Sequence, residues 1–384
     1  MMTQLPRAVE ERLLGRPVRD VLSGADRHAL GGRRVLITGA GGSVGAELAR
    51  QIAACGPAAL ELFDHAEYAL FRIERELRAS YPAVTVTARL GDVTRREDVR
   101  AACASLRPQV IYHAAAYKHV VITETCLIPA VRTNVLGTLE VVAAARACGA
   151  RLVLISSDKA AEPRSVMGAT KRLAELAALD QAGEGFRPVV VRFGNILGSS
   201  GSVVEIMLEA ARSGRPIPIT DPDATRFFMT SAEAVSLVLK AELLGLRTDV
   251  FWLDMGDPIR IGDLADRLLA HVAGEGHRSA GLSIIGLRPG EKVREELTTQ
   301  ALAMEPTSHA RIWSARQRHI PRAAIRTALS EIRRGCARGE GTRVLDALRS
   351  VVTDFEPSAT ARVAAAGRRT ADPMPASLAD VRSA

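Results

Sequence analysis

The chain has 384 residues, of which 47% are hydrophobic and 24% are charged. This balance is typical of a globular protein and excludes a largely disordered or fibrous chain. The formal net charge is +8, and residues 311–384 hold 14 Arg against 7 Asp and Glu, so the excess lies at the C-terminal end. Since no aromatic-interleaved patch accompanies these arginines, we expect no nucleic-acid partner.

Cysteine usage and hydropathy indicate the compartment. The five cysteines are scattered without CxxC spacing, which argues against a disulfide framework and against a metal site. The apolar stretch around Val141 is broken by Glu140 and Arg146, and residues 1–14 carry charges where a signal peptide needs its apolar core. The sequence therefore predicts a soluble, cytoplasmic protein with no membrane partner.

Short apolar runs alternate with stretches of helical periodicity along the first half of the chain. The predicted strands are 33–38, 58–63, 84–90, 110–113, 152–155 and 189–193, and the predicted helices include 43–54, 67–78 and 134–148. This alternation is typical of the α/β class, and specifically of a Rossmann-type, doubly wound parallel sheet.

After residue 194 the pattern loosens into turns rich in Gly, Ser and Pro, with helices at 231–244 and 261–273, which predicts a smaller C-terminal substrate lobe. The predicted organisation is a leader (1–32), an NAD(P)-binding Rossmann domain (33–198), a mainly substrate-binding lobe (199–312), a helical region (313–355) and a disordered tail (356–384). The tail shows no apolar period, so we expect its removal to change neither turnover nor stability.

A glycine-rich turn joins the first predicted strand to the first helix of the sheet. Gly39, Gly42 and Gly45 have GxxGxxG spacing, and Ser43 and Val44 open the helix. Such a turn lets the backbone approach a pyrophosphate, whose charge is met by the helix N-terminus. The sequence therefore predicts a tightly bound dinucleotide cofactor.

Two acidic residues follow the next strands. Asp64 ends the second strand, where a carboxylate accepts hydrogen bonds from the adenosine ribose and repels a 2′-phosphate, so NAD is favoured over NADP. Asp92 follows the third strand, where a contact to the adenine amino group and a helix N-cap are equally good alternatives.

A second group of polar residues follows the strand at 152–155. Ser157, Asp158 and Lys159 lie at the carboxyl edge of the sheet, where ligands bind in this architecture. Met167 and Lys171 share a face of the next helix, at the spacing that short-chain dehydrogenases use for tyrosine and lysine. The chain has only five Lys against 46 Arg, which favours chemistry that needs an amine able to lose its proton. A solvated Asp–Lys ion pair is the alternative.

Six segments together resemble the polysaccharide-biosynthesis (CapD-like) nucleotide-sugar 4,6-dehydratases, which are extended short-chain dehydrogenases/reductases that typically act on UDP-N-acetylglucosamine. They are residues 113–120, 131–138, 156–160, 166–172, 192–195 and 286–292. The resemblance runs from about Arg33 to Ile312. Residues 13–18 also resemble the linker that joins membrane helices to the catalytic part of large members, and the chain resembles the soluble form.

The resemblance assigns roles to individual residues. It implies that Asp158 is the general acid and Lys159 the base, and that Lys171 binds the nicotinamide ribose. Because Met167 cannot take the carbon-4 hydroxyl proton, Asp158, Ser157 or a water must relay it. The family further implies cofactor contacts from Val93, Ala114 and Ala115, and substrate contacts from Lys118, His119, Asn195, Arg226, Arg288 and Glu291.

The implied reaction oxidises carbon 4 with bound NAD⁺, removes water across carbons 5 and 6, and returns hydride to carbon 6. We expect Lys171 and partial burial to push Lys159 toward its neutral form, against the charge of Asp158. Cys126 and Leu127 stand where the family has Asn-Pro, near the expected sugar, so the hexose stays open.

Three other functions remain open at this point. They are a UDP-sugar 4-epimerase, a soluble 5,6-dehydratase of an antibiotic pathway, and a non-catalytic NAD-binding regulator. The Asp158–Lys159 pair favours dehydration over epimerisation, and the retained lysines argue against the regulator. We also expect a homo-oligomer, as is usual for this fold.

Overall fold

The computed structural model describes residues 5–245, 250–276, 281–295, 304–315 and 320–367. The helices are α1 (Arg7–Leu14), α2 (Gly24–Leu30), α3 (Ser43–Ala54), α4 (Glu67–Ser80), α5 (Arg96–Leu106), α6 (Val120–Thr125), α7 (Leu127–Val131), α8 (Thr138–Cys148), α9 (Val166–Asp180), α10 (Val203–Arg212), α11 (Ser231–Leu244), α12 (Ile261–Gly274), α13 (Arg322–Arg338), α14 (Gly341–Val351) and α15 (Ala359–Ala365). A π-helical turn (Arg132–Gly137) joins α7 to α8, and a 3₁₀ turn (Asp158–Ala160) precedes α9.

The strands are β1 (Arg34–Thr38), β2 (Ala59–Asp64), β3 (Val86–Leu90), β4 (Val110–His113), β5 (Arg151–Ile155), β6 (Val189–Arg192), β7 (Asn195–Ile196), β8 (Ile217–Ile219), β9 (Thr225–Arg226), β10 (Phe228–Met229), β11 (Val250–Leu253), β12 (Ile259–Arg260), β13 (Leu282–Ile284), β14 (Met304–Pro306) and β15 (Ile312–Ala315). Nine of them form the main sheet, in the order β14-β15-β11-β6-β5-β4-β1-β2-β3. The β14–β15 and β15–β11 pairs are antiparallel, and the other neighbouring pairs are parallel. The predicted α/β class and doubly wound parallel sheet are confirmed.

Side chains on β1 show how the sheet obtains a core on both faces. Val35 and Ile37 pack with α3, α4 and α11 on one face, whereas Leu36 packs with α5 and α8 on the other. Successive side chains of a strand point to opposite faces, so a strand covered on both sides must be apolar at every position. This explains the continuous apolar runs that predicted the strands.

The smaller lobe has its own core around α10, α12 and β8, and the N-terminal segment is part of it. Leu13, Leu14 and Val18 are buried there against residues such as Leu264. The segment 5–32 is therefore packed on the body of the protein. The stretch predicted as the lobe also returns β11 to the main sheet.

The prediction of a disordered tail from residue 356 is wrong for residues 356–367. Ser358 caps α15 by accepting a hydrogen bond from the Ala361 amide, and Ala361 and Ala365 are buried. α15 packs against α6, α7 and α14. The segment lacks large apolar side chains, so its small alanines gave no periodic signal although they fit closely against neighbouring helices. Residues 368–384 lie outside the described residues.

Within the described part of the chain, one continuous helical stretch, Leu127–Cys148, is long and apolar enough to cross a membrane. More than half of it is buried inside the fold. Val141 and Val142 belong to the core between α8 and the sheet. The stretch is accounted for as a core helix of an α/β domain.

Candidate active site

The glycine turn after β1 is shaped by close backbone contacts. Gly39 has φ +71°, and a Cβ there would lie 2.6 Å from the Ala115 nitrogen. A Cβ on Gly45 would lie 2.0 Å from the Gly39 oxygen, whereas one on Gly42 meets only that oxygen, at 3.3 Å. Gly39 and Gly45 are thus required by the protein itself, while Gly42 leaves open space at the N-terminus of α3.

The carboxylates of Asp64 and Asp92 both accept hydrogen bonds from nearby backbone amides. Asp64 is buried, and its two carboxylate oxygens accept from the amides of Gly41 at 2.8 Å and Ala66 at 2.9 Å. Asp92 accepts from the Thr94 amide at 2.8 Å. The N-cap of α5 is Arg95, so the helix-cap alternative for Asp92 is wrong.

The end of β5 brings the predicted acid and base together. One carboxylate oxygen of Asp158, Oδ1, accepts from Ser157 Oγ at 2.8 Å and from Lys159 Nζ at 3.1 Å. The other, Oδ2, is buried and has no hydrogen-bond partner. A buried acceptor without a partner is costly, so a proton on this oxygen would be stabilised.

Lys159 has three further polar neighbours from the second half of the chain. Nζ donates to Asn195 Oδ1 at 3.2 Å and lies 3.3 Å from Glu295 Oε1. The Arg226 guanidinium lies 3.6 Å from the same Glu295 oxygen. Asp158, Lys159, Asn195, Arg226 and Glu295 form a cluster that we call the Lys159 cluster.

The expectation that Lys159 is pushed toward its neutral form is wrong. Burial lowers the pKa of Lys159, but the negative charges of Asp158 and Glu295 outweigh burial and leave the pKa above its ordinary value. The charge of Glu295, added to that of Asp158, accounts for the difference. Glu295 stands among several charged residues after 290, and nothing in that pattern shows that it reaches a lysine at residue 159.

Met167 and Lys171 lie on α9 as predicted. Met167 is buried, and Lys171 Nζ donates to the Ile155 carbonyl at 2.6 Å. Burial lowers the pKa of Lys171 to about 8, against the opposing charge of Glu175. Lys171 therefore loses its proton more readily than Lys159.

The other predicted substrate residues, Lys118, His119, Arg288 and Glu291, line the same cavity. Lys118 donates to Ser199 Oγ at 3.2 Å, and burial lowers its pKa. Burial together with the charges of Lys118 and Arg288 lowers the pKa of His119. Arg288 forms an ion pair with Glu291, to which its Nη2 donates a hydrogen bond at 2.7 Å. The cationic side chains of Lys118 and Arg288 suit a phosphate-bearing ligand.

One cavity of about 1700 Å³ connects these groups. Its lining includes the predicted residues Gly39, Gly42, Ser43, Val44, Gly45, Ala114, Lys118, His119, Ser157, Lys159, Met167, Lys171, Asn195, Arg226, Arg288 and Glu291. Asp64, Asp92, Val93, Ala115 and Asp158 are not part of the lining. Val93 packs in the sheet core and Asp158 is covered by its hydrogen-bond partners. Among the residues that the structure describes, no cluster of His, Cys, Asp or Glu could hold a metal ion.

The fold and the cavity define the class of protein. A parallel sheet in the order β3-β2-β1-β4-β5-β6, with a glycine turn at the carboxyl end of β1, is the architecture of the extended short-chain dehydrogenases/reductases. The family described as "Polysaccharide biosynthesis protein" matches residues 35–317, and the chain belongs to it. The predicted family membership is confirmed.

Individual relatives agree with this assignment. The chain is 41% identical over 291 residues to the probable polysaccharide biosynthesis protein EpsC of Bacillus subtilis, covering 75% of this chain and 48% of that protein. It is 38% identical over 300 residues to the capsular polysaccharide biosynthesis protein CapD of Staphylococcus aureus, covering 77% and 50%. The chain thus spans about half the length of these relatives.

Solved structures share the fold. Pen from Bacillus thuringiensis superposes with a TM-score of 0.67 at 30% identity, covering 74% of this chain and 89% of that one. DesIV of Streptomyces venezuelae, a dTDP-glucose 4,6-dehydratase solved with NAD bound, superposes with a TM-score of 0.58 at 21% identity, covering 69% and 88%. At that identity the likeness to DesIV concerns the fold alone.

Proposed function

We propose that the protein is a nucleotide-sugar 4,6-dehydratase that converts UDP-N-acetylglucosamine into a UDP-4-keto-6-deoxy-N-acetylhexosamine. The observation that carries the proposal is the Asp158–Lys159 pair at the end of β5, beside the cavity that also holds the glycine turn and the cationic side chains of Lys118 and Arg288. An acid and a base held 3.1 Å apart suit an elimination, which takes a proton from one carbon and gives one to a leaving hydroxyl on the next.

The residues present fit a bound NAD(P). The open space over Gly42 at the N-terminus of α3 accommodates a pyrophosphate, Asp64 stands beside the turn for the ribose, and Lys171 lies at the nicotinamide end by the family resemblance. When bound, NAD⁺ would take the hydride from carbon 4 and return it at carbon 6. Asp64 favours NAD over NADP because its carboxylate repels a 2′-phosphate.

The chain's own residues then move protons. Transfer of one proton from Lys159 Nζ to Asp158 across their hydrogen bond creates a neutral amine and a carboxylic acid. This transfer removes a charge that raises the pKa of Lys159, so the amine can take the proton from carbon 5. Since Asp158 is not part of the cavity lining, its proton reaches the carbon-6 hydroxyl through Ser157, which donates to Asp158 and lines the cavity.

The second candidate is a UDP-sugar 4-epimerase. It needs the same first hydride transfer, and the absence of a tyrosine at residue 167 does not distinguish the two reactions. The buried acid–base pair favours the dehydratase, because an epimerase has no proton to remove from carbon 5. Analysis of the reaction product distinguishes the 5,6-dehydratase and the non-catalytic regulator from the 4,6-dehydratase and the epimerase.

The test is incubation of the full chain with NAD⁺ and UDP-N-acetylglucosamine in deuterated water, followed by mass spectrometry and proton NMR. We expect loss of one water and deuterium at carbon 5. Lys159→Ala should lower turnover by about 10²–10⁴. Lys159→Arg, which keeps the charge but cannot act as a base, should be equally slow. An isomer of unchanged mass would show an epimerase, and a Lys159→Ala enzyme with more than about a tenth of parental turnover would remove Lys159 as the base.

A further inference from the structure

The C-terminal helix α15 lies beyond the stretch that matches the family, yet it lines the cavity. Ala359, Thr360 and Val363 contribute to the lining. The family match ends at residue 317. A cavity wall built from outside the shared stretch is a feature by which this chain can differ from other members of the family.

A buried carboxylate holds α15 in place. Glu124, at the end of α6, is fully buried and accepts from Ser358 Oγ at 2.5 Å and from the Val166 amide at 2.7 Å. Ser358 is the N-cap of α15, and Val166 begins α9, which carries Met167 and Lys171. The beginning of α15 is thus tied to the beginning of the helix that bears two reactive-site residues.

The same carboxylate also contacts the segment that holds Arg288 and Glu291. A Cβ on Gly290 would lie 3.0 Å from the Glu124 carboxyl group, so this glycine packs directly on it. Cys126, where the chain departs from the Asn-Pro of the family, caps the C-terminal end of α6 and lines the cavity. The contacts of α15 are with α6, α7 and α14 and, through Glu124, with α9 and the Gly290 segment.

We propose that α15 forms the sugar-facing wall of the substrate site and sets which hexose substituents the enzyme accepts. The inference rests on the proposed function for the identity of the sugar nucleotide. The wall offers small side chains, Ala359, Thr360 and Val363, and the half-buried Thr360 adds one hydroxyl. Such a surface leaves room for a bulky substituent and offers it a single donor or acceptor.

Two exposed alanines of the same segment provide a matched test. Ala359 lines the cavity, whereas Ala366, which follows the last residue of α15, does not. Affinities of the full chain for UDP-N-acetylglucosamine and for UDP alone are measured by calorimetry with saturating NAD⁺. We expect Ala359→Trp to weaken UDP-N-acetylglucosamine binding by at least about tenfold, with UDP binding unchanged, and Ala366→Trp to match the parent.

Shortened chains give a second measurement. A chain ending at residue 355 should bind UDP-N-acetylglucosamine at least about tenfold more weakly, whereas one ending at 367 should match the parent. The proposal is overturned if Ala359→Trp binds UDP-N-acetylglucosamine like the parent, if UDP loses affinity by the same factor, or if the parent binds neither ligand. A parent that binds the sugar nucleotide but releases no water would overturn the dehydratase proposal and leave the sugar-facing wall standing.

Discussion

Two carboxylates lie beside the ammonium group of Lys159, and the charge of each raises the pKa of this group. Asp158 is the partner for proton exchange at 3.1 Å, while Glu295, at 3.3 Å, has no proton-transfer step in the proposed cycle. The charge of Glu295 raises the pKa of Lys159. The pH at which the Asp158–Lys159 pair loses its proton should depend on Glu295.

Replacing Glu295 tests this dependence. In the proposed cycle the Asp158–Lys159 pair works with one proton, so turnover should fall at high pH as the pair loses that proton. Glu295→Gln removes a charge that stabilises the protonated pair, so the pKa falls and the alkaline limb of kcat/KM moves to lower pH. Glu295→Asp retains the charge and should move the limb less. If the alkaline limb of Glu295→Gln coincides with that of the parent, the titrating group is not Lys159.

Gly42 and Gly45 offer a matched pair of substitutions with different consequences. Gly42→Ala places a methyl group 3.3 Å from its nearest neighbour, so the fold tolerates it, but the methyl group occupies the space proposed for the pyrophosphate. NAD affinity should fall at least about tenfold with little change in melting temperature. Gly45→Ala overlaps the Gly39 oxygen at 2.0 Å and should cost about 1–3 kcal/mol of unfolding free energy. Unchanged NAD affinity in Gly42→Ala would place the phosphates elsewhere.

At the level of secondary-structure elements, a buried ion cluster joins α9 to β5 and β6 beneath the reactive strand end. Glu175 on α9 accepts from Ser156 Oγ at 2.5 Å and from Arg192 Nε at 2.6 Å. Arg172 also donates to Glu175, at 3.2 Å, and the Arg192 guanidinium stacks 5.0 Å over the Trp252 ring. The cluster fixes Ser156, and with it the direction in which Ser157 and Asp158 leave the sheet.

Removing one partner of this cluster should be costly. Arg192→Met leaves the Glu175 carboxylate buried with weaker compensation and should lower the free energy of unfolding in urea by about 3–5 kcal/mol. Arg172→Met removes a partner that is partly exposed and should cost less. The double variant Arg192→Met/Glu175→Met should be more stable than the sum of its single changes predicts. Equal losses for the two arginine variants would contradict the assignment of Arg192 as the main partner.

The sequence predicted these elements unevenly, for physical reasons. The runs that became β1 to β6 and the helices between them were visible because a sheet covered on both faces imposes its pattern locally. The position of Ser157 and Lys159 at the edge of the sheet followed from the strand-end rule, and Lys171 was found from its spacing to Met167 on the next helix. Glu295 and α15 were missed because their positions depend on contacts with residues more than 100 positions away.

On the scale of the whole molecule, the N-terminal segment joins the smaller lobe to the sheet domain. Leu13 and Leu14 are buried in the lobe core, and two residues further on Arg16 reaches Glu233 on α11. The Arg16 guanidinium donates to both oxygens of this carboxylate, at 2.7 and 3.2 Å, and also to the Phe228 carbonyl at 3.3 Å. One side chain thereby links α11 to a strand of the small β7–β10 pair.

Arg16 should therefore stabilise the whole chain. The Glu233 side chain is fully buried, so Arg16→Ala leaves a carboxylate with one close cation fewer and should lower the unfolding free energy by about 3 kcal/mol. Arg12, an exposed arginine of the same segment, is the control, and Arg12→Ala should change stability by less than about 0.5 kcal/mol. Urea unfolding followed by circular dichroism measures both variants. Loss of the Arg16 partner from the buried Glu233 carboxylate should appear as a lower urea midpoint of unfolding. If the two variants unfold at the same urea concentration, the N-terminal segment does not hold the smaller lobe and the sheet domain together in solution.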